Sequence, residues 1–253
     1  MTDKNPLIEP HDILAAFSML TRLRLCVDHI RAGKRGANCA WAFPVVGLFL
    51  GVGVGVLALV LRWLGLPSGV TAACVLLALA MITGALHEDG LADFTDGVWA
   101  GKTPQKRLEI MKDSRIGAYG AIALVVFLLA RHSGIQMLYG WNIILSLAAV
   151  GATSRAAMAG VMFILDPVRP DGLSASAGQP DARHVAVALA IGFAACVLLT
   201  GFSGIVLFVV ILLAAVPVCV IALKKLGGQT GDVLGAVHQC CEAVGLAAAF
   251  ALA

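Results

Sequence analysis

The chain has 253 residues, of which 60% are hydrophobic and 13% charged, with a mean hydropathy of +0.93 and a formal net charge of +3. A water-soluble domain carries about 25% charged residues, so this composition excludes an ordinary soluble globular protein, and no nucleic-acid partner is expected. The apolar runs are long and continuous rather than alternating, which disfavours a β-barrel and leaves helices to satisfy the backbone in lipid.

In chain order, 10–25 reads as an amphipathic N-terminal helix, with Ile13, Leu14, Phe17 and Leu20 near helical spacing. The apolar run there is short and follows Asp3, Glu9 and Asp12, so no cleavable signal peptide is expected. A basic stretch follows at Arg31, Lys34 and Arg35. Spans are then predicted at 42–64, 69–86, 116–130 (extending to Tyr139 past Arg131), 141–165, 185–199, 203–223 and 233–253. The fold class is therefore all-α, a polytopic transmembrane bundle of about seven spans. It forms a single domain over 1–253, with 1–41 as a cytoplasmic or interfacial segment and 42–253 as the bundle. Gly47, Gly51 and Gly55 make a small-residue row suited to close helix contact, within one chain or between copies, so a homo-oligomer stays open. The cysteines, Cys240-Cys241 included, read as small packing residues.

Threading these spans with the N-terminus in the cytoplasm puts most basic residues on that side, from Lys4 to Lys224 and Lys225. Arg62 and Arg131 fall at the outer side, and Arg155 lies within a span. An intramembrane arginine needs an anion or an acid partner, and Arg155 is placed to meet either bound phosphate or a carboxylate. Glu242, with His238 one turn back, carries no assigned chemistry.

Charge is scarce, yet Glu88, Asp89, Asp93 and Asp96 fall together at the end of an apolar run. Asp89, Asp93 and Asp96 stand at i, i+4 and i+7 and share one helix face, with Glu88 beside it. Hard oxygen ligands in this number suit Mg²⁺ or Mn²⁺, above all with substrate phosphates completing the coordination. His87 borders the cluster in a supporting role. A second block runs Lys112-Asp113-Ser114-Arg115-Ile116-Gly117-Ala118-Tyr119-Gly120. There Arg115 is suited to grip phosphate at two points and Lys112 supplies a point charge. Ser114 is placed to cap the third span, and Gly117 and Gly120 let backbone approach a ligand. A third block, Gly227-Gly228-Gln229-Thr230-Gly231-Asp232, opens the last span, with Asp232 either an N-cap or a site residue.

The run from Glu88 to Gly97 resembles the acidic signature of the cobalamin (5'-phosphate) synthases, the adenosylcobinamide-GDP ribazoletransferases. Asp113 to Gly120 is similar to that family's second block, and Thr230-Gly231-Asp232 with Leu234-Gly235-Ala236 to its C-terminal block. Phe43-Pro44-Val45-Val46-Gly47 and Leu20-Thr21-Arg22-Leu23 resemble its N-terminal segments, so the likeness spans nearly the whole chain. One departure is Leu23-Arg24-Leu25, where a proline is expected soon after the arginine.

The resemblance implies a Mg²⁺-dependent, multi-pass enzyme of the bacterial inner membrane with its site facing the cytoplasm. It would join adenosylcobinamide-GDP to α-ribazole or α-ribazole 5'-phosphate and release GMP. Glu88, Asp89, Asp93 and Asp96 would hold metal, with Asp93 or Asp96 taking the nucleophile's proton. Asp89, Asp93, Asp96 and Arg115 are then the catalytic set. Lys112, Asp113, Ser114, Gly117, Arg155, Thr230 and Asp232 are the substrate-binding set. The rival readings are a CDP-alcohol phosphotransferase acting on lipid, whose longer motif is not matched, and a cation-coupled transporter.

Overall fold

A computed structural model describes residues 6–169 and 177–252, so Asp3, Lys4 and Ala253 lie outside the described residues. The N-terminal segment is held by one buried carboxylate. Helix α1 (Pro10–Leu20) carries Asp12, which is fully buried. It accepts from Arg35 Nε at 2.8 Å and from Trp41 Nε1 at 2.7 Å. Arg35 closes α2 (His29–Arg35), whose first turn is capped by Asp28 Oδ1. Burying that carboxylate requires such partners, so part of the basic stretch folds inward. A 3₁₀ turn, Gly36–Ala42, then feeds α3 (Phe43–Trp63).

The second predicted span is broken. Helix α4 (Ser68–Thr83) ends where Gly84 and Ala85 both take left-handed backbone, at φ 68° and 56°, and α5 (Leu86–Ala100) leaves at 89°. Gly84 has no side chain because Arg22 lies against it, and Arg22 N–H donates to the Ile82 carbonyl at 2.7 Å. A non-glycine residue in left-handed backbone is uncommon and persists where its surroundings fix it. The apolar pattern running through the break hides this turn. A short α6 (Pro104–Ile110), capped by Thr103, leads to α7 (Ala118–Met137), α8 (Asn142–Ile164), α9 (Ala182–Thr200), α10 (Ser203–Leu226) and α11 (Gly231–Leu252). Among the described residues, six helices are long and apolar enough to cross a membrane, and the α4–α5 pair, taken as one broken span, makes seven.

Helix α8 is the axis of the bundle. Its middle is Ala148, Ala149, Gly151, Ala152, Thr153, Ser154, Ala156 and Ala157, all buried. Lipid tails give apolar helices no hydrophobic reason to associate, so small residues that let backbones approach decide the packing. The glycine row of α3 shows this directly: side chains added at Gly47, Gly51 and Gly55 would collide with backbone at Gly151, Leu147 and Ile144. The row therefore serves a contact within the chain. Helices α9, α10 and α11 also pack on α8, and α11 meets α5 and α7.

One end of the bundle gathers the starts of α3, α7, α9 and α11 and the ends of α8 and α10. The other end exposes Trp63, Tyr139, Trp141 and Phe202, an aromatic girdle of the kind found at a membrane interface. Arg62 belongs to that end, stacked over the Tyr139 ring at 5.2 Å. Arg131 does not lie at an outer surface as its position in the sequence suggests. It is 1% exposed inside the bundle, because acids on two other helices neutralise it.

Candidate active site

The site is built on the crossing of α5 and α11. The two helices run antiparallel in a fixed register. The His87 and His238 rings stack at 3.9 Å, and a Cβ on Gly90 would meet the Gly235 Cα at 3.2 Å. One further step brings Asp93 within electrostatic reach of Asp232, Asp89, Asp96 and Arg169. Gly90 and Gly235 thus allow a close backbone approach that a side chain at either position would crowd. The glycine that follows the first two acids lies at this contact.

The start of α11 is fixed by its loop. Thr230 Oγ1 accepts the Val233 N–H at 3.3 Å and donates to Asp232 Oδ2 at 3.2 Å. A β-bridge, Pro167 with Gln229, ties this loop to the segment after α8. That tie delivers Arg169, which donates to Asp232 Oδ2 at 3.0 Å and to the Leu108 carbonyl at 3.2 Å. Arg169 went unassigned in the sequence because it sits alone in a loop, and only the bridge to Gln229 shows where it goes.

The four acids of α5 divide. Asp89 is exposed and Asp93 half-buried on the open side, near Asp232. Asp96 is buried and accepts the backbone N–H of Gly117 at 2.7 Å and of Gly120 at 2.9 Å. It therefore anchors the start of α7. Ser114 does not cap that helix: Gly117 is the N-cap residue, and the carboxylate from α5 supplies the acceptor. The small size of Gly117 and Gly120 admits this carboxylate. Glu88 points the other way, accepting from Arg131 Nη1 at 2.9 Å.

Arg131 opens a buried ionic network. Its second amino nitrogen lies 2.6 Å from Glu242 Oε2, and Nη1 also donates to Gln239 at 2.8 Å. Arg155 is 2% exposed, 3.6 Å from Glu242, and donates to the Gly151 carbonyl at 3.2 Å. His238 Nε2 lies 3.4 Å from Glu242. Two glutamates face two arginines, so the cluster balances its charge in a low-dielectric interior. The structure brings Arg155 to this network and away from the open carboxylates. The pairing of Arg131 and Glu242 leaves no local sequence signal, since 111 positions of numbering separate them.

In the second block, Arg115 is largely exposed and donates to Asp113 Oδ2 at 2.7 Å. That hydrogen bond, with one from the Arg115 backbone, pulls the Asp113 carboxyl down to about 2. Lys112 and Ser114 are exposed on the same loop, and Gly117 is half-buried at its end. Guanidinium and ammonium groups exposed on this loop suit a charged phosphate substrate.

Among the described residues, no three His, Cys, Asp or Glu side chains converge closely enough to cage a metal by themselves. Mg²⁺ does not need such a cage, being held by one or two carboxylates with waters and substrate phosphate oxygens. Asp89, Asp93 and Asp232 fit that donor chemistry.

The model of the family described as Cobalamin-5-phosphate synthase matches residues 12–250. A protein of Bradyrhizobium diazoefficiens named adenosylcobinamide-GDP ribazoletransferase is 41% identical, the match covering 94% of each chain. Proteins of the same name from Sinorhizobium medicae and Mesorhizobium japonicum are 39% and 41% identical, over 96% and 95% of this chain and 96% and 93% of theirs. No solved structure matches.

Proposed function

The chain belongs to the cobalamin-5-phosphate synthase family, and we propose that the α5–α11 crossing is where it performs the family's transfer. The protein is an adenosylcobinamide-GDP ribazoletransferase, a transferase of cobalamin nucleotide loop assembly. The observation that carries the assignment to this site is the meeting of Asp89, Asp93 and Asp232, from two helices, beside Arg169.

In the reaction a ribose hydroxyl of α-ribazole, or of its 5'-phosphate, attacks the phosphorus attached to cobinamide. A new P–O bond forms, the bridging P–O bond of the pyrophosphate breaks, and GMP leaves with the electron pair. The hydroxyl proton passes to a carboxylate. Asp93 is the better candidate, because both oxygens of Asp96 are engaged by the backbone of α7. Bound Mg²⁺, held by Asp89, Asp93 and Asp232, would neutralise charge on the phosphate oxygens. Arg169 holds Asp232 in place and, with Lys112 and Arg115, supplies cations toward the diphosphate.

The loops at this end carry Lys102, Lys106, Arg107, Lys112, Arg115, Arg169, Arg183, Lys224 and Lys225. That excess supports a cytoplasm-facing site in a bacterial inner membrane. The purified protein in nanodiscs, given adenosylcobinamide-GDP and α-ribazole, is expected to release GMP only with Mg²⁺. Chelation should stop release and added Mg²⁺ restore it. Undiminished release in excess chelator would remove the metal from the account.

A further inference from the structure

Beside the carboxylates lies a cavity of about 190 Å³, walled by Leu20, Phe43, Met158 and Met162, with Asp89 and Asp232 at its rim. The wall residues are among the most buried in the chain: Leu20 and Phe43 are 2% exposed, Met158 4% and Met162 3%. Met158 and Met162, one turn apart on α8, share a face. Among the described residues, no lysine or arginine lines the cavity. A wider cleft walled by Val27, Ala32 and Cys39 shares Met19 and Ala177 with it and leads outward.

Resting on the transfer reaction above, the substrates offer three bodies of different chemistry. The corrin macrocycle is far too large for this space. Guanosine phosphate brings negative charge and a polar base edge, and among the described residues these walls offer neither a cation nor hydrogen-bonding side chains apart from His87 and the rim acids. Burying such groups unpaired is costly. The flat, uncharged, methyl-bearing bicyclic base of ribazole needs only apolar contact. Methionine fills irregular space around a ring and contacts aromatic edges favourably.

We propose that this cavity seats the base of the acceptor nucleoside, between Phe43 and the Met158–Met162 face, so that its ribose reaches the rim at Asp89 and Asp232. Met158 and Met162 then set which bases the enzyme accepts, and the soft walls tolerate bases of different size.

The test is steady-state kinetics on the detergent-solubilised full chain with Met162→Phe, which narrows the cavity. The KM for α-ribazole should rise about tenfold or more, while that for adenosylcobinamide-GDP stays within about twofold. The riboside of unmethylated benzimidazole should recover most of the loss, which a general packing defect would not allow. A rise in both KM values together, or an unchanged ranking of the two ribosides, overturns the proposal and leaves the cavity to a lipid chain. If Met162→Phe does not fold, a photoreactive azidobenzimidazole riboside on the wild-type protein decides. Labelling of the α8 peptide with Met158 supports the assignment, and labelling confined to 111–117 overturns it. Absence of GMP release by the wild type would instead defeat the underlying transfer reading.

Discussion

Asp89 and Asp96 stand on one helix yet face different demands. Asp96 is buried against two backbone N–H groups of α7, and its loss strands both donors. Asp96→Ala should therefore lower unfolding stability by about 2 kcal/mol, read as a fall in Tm in detergent. Glu242 is more severe. Glu242→Gln leaves Arg131 and Arg155 short of their shared counter-charge. Breaking a buried pair from one side costs about 3–5 kcal/mol, so this variant should show the larger fall in Tm, or fail to accumulate. At Asp113 the depressed carboxyl gives the sign of a pH effect. Its pair with Arg115 is complete above the ordinary value of 3.8 and is lost only as pH falls through about 2. Asp113→Asn should accordingly leave the shape of the pH–rate profile between about pH 5 and pH 8 unchanged. A displaced limb in that window would show that Asp113 couples to a group in turnover.

At the scale of elements, helix contact is decided by where glycine is obligatory. Gly51 faces α8 backbone, whereas Gly53 meets nothing within 4 Å. Gly51→Leu should separate α3 from α8 and lower Tm or expression sharply, while Gly53→Leu should be close to neutral. Equal effects would mean that α3 and α8 do not cross as described. The sequence carried part of this arrangement. The glycine row was legible from its spacing, but its partner was not, because α8 advertises only a run of small residues. The seven spans were legible because lipid demands length and apolarity. The break before α5 was not, because Gly84-Ala85 interrupts neither hydropathy nor charge. The acids of α5 were legible as a cluster, since charge is rare here. Their division was not, because the partners of Glu88 and Asp96, namely Arg131 and the Gly117–Gly120 backbone, lie on a helix that the sequence places only roughly.

Over the whole molecule, two ends of the bundle have opposite character. One carries exposed aromatics, and the other carries the basic loops, the three open carboxylates and the bridge from Pro167 to Gln229. Between them the chain buries a charge-balanced network where lipid alone would exclude charge, fixing α5, α7, α8 and α11 relative to one another. That rigidity is what keeps Asp93 near Asp232 across two helices. The most direct measurement is GMP release from adenosylcobinamide-GDP and α-ribazole by Asp93→Asn beside the wild type, with Tm recorded for both. The account predicts a loss of about 10²-fold or more in kcat at an unchanged Tm. Wild-type kcat in this variant would contradict the placement of the chemistry at the α5–α11 crossing.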